Sequence, residues 1–339
     1  MKRIYLLITF IISVLFAGCG EQKETLLIYT PHGDEMLKRF TDKFIAENPG
    51  IDVQAFDIGS QAIYDRIRSE RSNPQADLWW GAPATIFMNA AKEGLLEPYK
   101  PSWADAVSPA NRDKDDLWYG TFLTPEVIGY NSEKLTAETA PQDWDDLLKP
   151  EWKGRIVIRN PMASGTMRAI FISRILKDYG QSGNTDAGYD WLRKLDANTR
   201  SYTASSALMY VALTRSESDV TLWNMPDMIL QKKENNRPFD FVIPASGTVV
   251  LTDCIAVVAG AKHPVLARKF YEFVTSEKAL IEQAHDFYRI PARTDIPKAK
   301  LPEWMQRDIK TMPIDWQLFA DKSAEWMKYW EDNIRDQGK

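Results

Sequence analysis

The chain has 339 residues, 44% apolar and 26% charged, with a formal net charge of −5 and two cysteines. That mix excludes a disordered, collagenous or coiled-coil chain, and its acidic balance argues against nonspecific nucleic-acid binding. The length suffices for two ordinary domains and a sizeable core.

Met1-Lys2-Arg3 is a short basic start, and Ile4 to Ala17 is apolar apart from Thr9 and Ser13. The run is too short to span a bilayer comfortably and reads as an export signal over residues 1–18. Leu15-Phe16-Ala17-Gly18-Cys19 is similar to a bacterial lipobox, with Phe16 where Leu is commoner. The similarity implies cleavage before Cys19, acylation of its thiol, a tether over 19–25 and a membrane anchor. The alternative is an ordinary secretory signal with an incidental cysteine. Cys254 lies in the apolar run Cys254-Ile255-Ala256-Val257-Val258. With Cys19 lipidated it has no partner, so a buried thiol and no disulfide are expected.

Leu26 to Thr30 reads as a buried strand, Pro31-His32-Gly33-Asp34 as a turn, and Leu37, Phe40 and Phe44 as one helix face that Asn48-Pro49-Gly50 ends. The unit repeats: strand Val53 to Ile58, turn Gly59-Ser60, helix from Ile63; then strand Ala76 to Trp80, turn Gly81-Ala82-Pro83, and a helix to Glu93. Such alternation predicts an α/β fold with mainly parallel sheets covered on both faces. Trp118 to Tyr130 is read as a first crossing between two lobes, and Ala245 to Asp253 as the return. Between them lies a second α/β set, with strands at Arg155 to Arg159, Asp219 to Trp223 and Phe239 to Ile243. Pro264 opens a strong amphipathic helix, and the tail carries helical stretches with Trp326, Tyr329 and Trp330. The expected division is lobe 1 over 26–122 and 252–300, and lobe 2 over 123–251 and 301–339, joined by a hinge that lets them close on a solute.

Several segments, weak singly, recur in one order. They are Ile28-Tyr29-Thr30-Pro31-His32-Gly33, Gln75 to Gly81, Glu93 to Tyr99, Pro161-Met162-Ala163-Ser164-Gly165-Thr166, Gly260 to Pro264, and Ile290-Pro291-Ala292-Arg293-Thr294. Over Leu26 to Pro297 the chain resembles the type II extracellular solute-binding proteins of bacterial ABC importers, in the branch with ferric-ion, organophosphate and thiamine-related binders. The resemblance implies a monomeric two-lobe protein of the cell envelope that needs no cofactor. It would carry a small-molecule solute to a permease and ATPase complex. A ligand-sensing module for a membrane receptor kinase would use the same body.

Solutes in open α/β sheets sit beyond the carboxyl ends of the strands. Ser164-Gly165-Thr166 stands between a strand and a helix, so its amides and hydroxyls are assigned to an anion; a helix N-terminus favours negative charge by about 0.3–1 kcal/mol. Ser164 or Thr166 as a plain helix cap is the competing reading. Ser60, His32 and Gly33 join the anion group. Thr30, Trp80, Gly81, Tyr202, Trp223, Asn224, Asp227 and Asp253 are assigned to the organic part, with Trp80 stacking on it. Ferric-ion members resemble one another in adjacent tyrosines after a lobe-2 strand. Thr221 to Asp227 has none, which speaks against Fe(III), and no HExxH suggests zinc. No GxSxG elbow, P-loop or dinucleotide fingerprint points to an enzyme.

Overall fold

A computed structural model describes residues 23–306 and 309–338, so Cys19 and the export signal lie outside the described residues. The first lobe starts with β1 (Glu24–Thr30), α1 (Asp34–Glu47), β2 (Ile51–Asp57), α2 (Ser60–Ser69), β3 (Leu78–Pro83), α3 (Ala84–Lys92) and β4 (Leu96–Glu97). The long strand β5 (Tyr119–Asn131) leads to β6 (Ile156–Arg159), α4 (Gly165–Ser182), α5 (Asp186–Asn198), β7 (Thr199–Thr203), α6 (Ser206–Thr214), β8 (Val220–Asn224), α7 (Met225–Lys233) and β9 (Phe239–Val242). The chain returns through β10 (Val250–Val258) to α8 (Pro264–Val274), α9 (Glu277–Asp286) and β11 (Ile290–Pro291), and ends in α10 (Trp316–Asn333).

The strands run in the order β2-β1-β3-β10-β5-β8-β6-β7. β1 is parallel to β2 and β3, and β6 is parallel to β7 and β8. The strands that carry the chain between lobes depart from this: β10 is antiparallel to β3 and β5, and β5 is antiparallel to β8 and β9. One strand leaving and another returning must run in opposite directions. β5 belongs to both lobes. Tyr119 to Pro125 pairs with β10, whereas Glu126 to Tyr130 pairs with β8. The change falls at Pro125, which has no amide hydrogen to donate to a ladder.

Period-2 alternation divides the first lobe's core between two sheet faces. Leu26, Ile28, Leu78 and Trp80 pack with Phe40 and Phe270 on one face. Tyr29 and Trp79 pack with Ile63, Phe87 and Cys254 on the other. Cys254 is buried, and its thiol is free among the described residues. The second lobe has a single core that includes Val127, Ile158, Phe171, Leu222 and, from α10, Trp326 and Trp330. α10 also touches the first lobe, where Asn89 donates to the Ala320 carbonyl at 3.2 Å and Lys92 pairs with Asp321. Among the described residues, no helix is long and apolar enough to cross a membrane.

Candidate functional site

A cleft of about 550 Å³ lies between the lobes. The carboxyl ends of β1, β2, β6, β7 and β8 feed it, and α1, α2, α4, α6 and α7 begin at it. Each helix start brings amide hydrogens that have no partner within the helix. Their local caps differ. Ser164 caps α4, its Oγ accepting from the Met167 amide at 3.3 Å, and Ser205 does the same for α6 from Leu208 at 3.3 Å. Asn224 caps α7 through the Asp227 amide at 2.8 Å. α2 follows Gly59 and has no side-chain cap, so Ser60 is the helix's first residue and not its cap.

Arg159 ends β6 beside this uncapped start. A Cβ built on Gly59 would lie 3.3 Å from an Arg159 Nη. The guanidinium sits 5.8 Å from the Trp223 ring centroid, and its Nε is buried without a hydrogen-bond partner. No carboxylate lies within ion-pair distance of it among the described residues, although Asp57 and Asp227 are near enough to act on its charge. Burial lowers its pKa, and Tyr210, Asp227 and Asp57 offset part of that. A mostly buried cation facing free amides is chemically a seat for an anion.

The second arginine is already paired. Arg289 contacts Asp227 Oδ1 at 3.0 Å and lies over Phe122. Asp227 Oδ2 accepts from Asn224 Nδ2 at 2.9 Å and from Trp223 Nε1 at 3.1 Å. Asp253, on β10, accepts from Thr124 Oγ1 at 2.5 Å, and burial pushes its carboxyl up to about 6. Behind it Glu126 is completely buried without a well-formed hydrogen bond. Burial first, then the charges of Asp253 and Asp227, hold Glu126 well above the usual carboxylate range; the Thr166 hydroxyl offsets only part.

Of the residues assigned to the anion from sequence, Ser164, Gly165, Thr166, Ser60, His32 and Gly33 all line the cleft. His32 arrives as a neutral ring. Its imidazole packs on Trp80 and Phe122, and burial, then Arg289, pushes its pKa well down. Its Nε2 is turned toward Gly81, where a Cβ would lie 2.2 Å away, so it does not face the solute space.

Trp223, Asn224, Asp227 and Asp253 also line the cleft, while Thr30, Trp80, Gly81 and Tyr202 do not. Trp80 points into the first lobe's core with Phe40 and Phe270, because the face of β3 that carries Leu78 carries Trp80 too; it does not stack on a solute. Thr30 is buried, its Oγ1 accepting from the His32 amide at 3.3 Å. Gly81 is the floor under the His32 ring, at φ 99°. Tyr202 leans on Trp330 and donates to Asp196 at 2.8 Å, away from the cleft. Sequence reasoning missed Arg159, Arg289, Thr124, Asp57, Ser205 and Tyr210, all of which line the cleft. The available signal for Arg159 was a charged residue closing the buried strand Ile156-Val157-Ile158.

A family model described as bacterial extracellular solute-binding protein matches residues 74–322. A probable ABC transporter periplasmic-binding protein of Sinorhizobium fredii is 28% identical over 328 residues, which cover 95% of this chain and 90% of that one. A putative 2-aminoethylphosphonate-binding periplasmic protein of Salmonella typhimurium is 28% identical over 73% of this chain and 71% of its own. Among solved structures, the periplasmic binding protein AfuA of Actinobacillus pleuropneumoniae, with exogenous fructose-6-phosphate bound, superposes with a TM-score of 0.80. It is 25% identical, covering 92% of this chain and 99% of that one.

Proposed function

The chain belongs to the bacterial extracellular solute-binding protein family of ABC importers, and we propose that it captures a small organic solute bearing a phosphate or phosphonate group. The carrying observation is Arg159, a largely buried guanidinium without an ion pair among the described residues, beside the uncapped start of α2 and the glycine-led start of α4. An oxyanion there would accept charge-assisted hydrogen bonds from both lobes at once, which couples binding to closure. Trp223 and Tyr210 offer apolar faces to the organic body, and Asp253 offers an acceptor. The relatives named for aminoethylphosphonate and sugar phosphate favour the same chemistry.

A ferric-ion reading is weaker on the residues. Phenolates are the hard ligands Fe(III) would want, and Tyr210 is the one tyrosine lining the described cleft. Its hydroxyl is held well above its ordinary pKa by burial, then by Asp227, which adds to the cost of forming a phenolate there. Thiamine-type binding, or sensing through a receptor kinase, remains the second reading of the same body. Acylation of Cys19, anchorage at the envelope membrane, a monomeric state and hand-over to a permease and ATPase complete the proposal.

Thermal shift against 2-aminoethylphosphonate, fructose 6-phosphate, inorganic phosphate, thiamine and ferric citrate tests the solute class. A true solute at a hundredfold over its Kd stabilises by about 2.7 kcal/mol. A shift with ferric citrate or thiamine and none with the phosphorus compounds overturns the reading. Intact mass of the membrane-extracted protein tests the acyl chains.

A further inference from the structure

Two consecutive residues of the first lobe, Tyr288 and Arg289, reach across to the second. Arg289, 7% exposed, pairs with Asp227 at 3.0 Å. Tyr288 donates its hydroxyl to Glu234 Oε1 at 2.6 Å. Asp227 lies in the first turn of α7, and Glu234 is its C-cap. Between them Leu230 packs against the first lobe's apolar cluster, which includes Phe287. Positions 227, 230 and 234 share one helix face, since seven residues make about two turns. The backbone that presents the pair is unusual. Tyr288 sits at φ 58°, a left-handed conformation that a bulky residue keeps only where its surroundings hold it. That bend, just after the end of α9, turns two adjacent side chains toward opposite ends of one helix.

We infer that Tyr288 and Arg289 clasp α7 by its two ends and hold the lobes together through the chain's own contacts, with Asp227 a positioning residue. Asp227 accepts from Trp223, Asn224 and Arg289, so its carboxylate orients the aromatic wall and the clasp. Gln61 with Arg168 (2.8 Å) and α10 with α3 form other bridges between the lobes. They lie away from α7 and do not substitute for the clasp there. The inference does not depend on which solute is bound.

The test uses the full chain with no added solute. Tyr288→Phe and Glu234→Ala each remove one end of the clasp without touching a cleft-lining side chain. Small-angle scattering and amide exchange across α7 report opening. Each variant should raise the open-to-closed ratio by about 5-fold, the worth of one hydrogen bond. The double variant should add nothing further, as expected of a coupled pair. Asp227→Asn should open the lobes and also change Trp223 fluorescence, while the melting of each lobe core stays put. Unchanged scattering and α7 exchange in the double variant, or additive effects of its two substitutions, overturn the clasp. Asp227→Asn leaving both scattering and fluorescence unchanged overturns the positioning role, and if that variant fails to fold, Tyr288→Phe with Glu234→Ala still decides the clasp.

Discussion

Replacing Arg159 by Met should move affinity and stability in opposite directions. Methionine keeps most of the stem that packs near Trp223 and removes the guanidinium. An anion bound there loses charge-assisted hydrogen bonds worth about 1.5–3 kcal/mol, a weakening of roughly 10- to 150-fold. Without a solute the sign reverses, because Arg159 carries a desolvated charge with no ion pair among the described residues. Removing an unpaired buried ion relieves a penalty of several kcal/mol. Part of that returns as lost attraction to Asp227 and Asp57, of which Asp227 keeps Arg289 as a partner. A net gain of about 1 kcal/mol is expected, or a few degrees in Tm. Calorimetric titration with whichever phosphorus compound binds the parent protein, beside a melting curve without it, reads both. Binding within twofold of the parent together with a lower Tm would refute the reasoning and make Arg159 a structural residue.

Gly165→Ala should favour α4 by propensity yet weaken solute binding at least about 10-fold, since the new methyl would lie 2.8 Å from the Pro83 ring of the other lobe. Scattering with saturating solute should show incomplete closure. Trp80→Ala, at a fully buried position, should cost about 3–5 kcal/mol in urea melts, with calorimetry on the folded protein giving near-parental affinity. Asp253 sets a pH dependence. Its carboxyl titrates near 6 in the fold, so between about pH 4 and 6 the native state keeps a proton that the unfolded chain has lost. Stability should therefore fall as pH rises through that window, by up to about 3 kcal/mol from this group. Asp253→Asn should make the slope shallower in melts from pH 4 to 8, leaving the share of Glu126, which burial also holds well above the usual carboxylate range. His32, held neutral, acts oppositely, its contribution fading as pH drops below its unfolded value near 6.5.

Local rules carried the strand–turn–helix units of the first lobe because each turn is short and marked by Gly or Pro, and the central strands β1 and β3 carry apolar runs, Leu26 to Tyr29 and Leu78 to Trp80. The same rules located the loops that line the cleft, since in this layout loop position follows strand direction. They failed where a side chain's direction mattered. Trp79 and Trp80 face opposite sides of β3, and both sides are packed, so an aromatic at a strand end carried no sign of exposure. Tyr202 was drawn to Asp196 on the preceding helix α5 and to Trp330, a distant partner set by the α10 docking. Arg289 was invisible for a similar reason. Its role depends on the left-handed turn at Tyr288 and on a carboxylate more than sixty residues earlier, and nothing adjacent to it in sequence encodes either.

The cleft's charges also bear on why an organic solute suits it better than a bare anion. Asp34, Glu35, Asp57, Asp227 and Asp253 line it against Arg159 and Arg289. The Asp227–Arg289 pair cancels locally, which leaves Arg159 and the starts of α2 and α4 with Asp57 near Arg159, and Asp34, Glu35 and Asp253 on the rest of the lining. Inorganic phosphate, small and charged all round, would gain at Arg159 and be repelled by the other acids that line the same cleft. A solute whose charge sits at one end, with a neutral or protonated body between Trp223, Tyr210 and Asp253, takes the gain with less of the repulsion. Lobe closure then removes water from both ends together, and burial of Glu126 at the crossing strand, which raises its pKa well above the usual carboxylate range, disfavours a further negative charge behind the site.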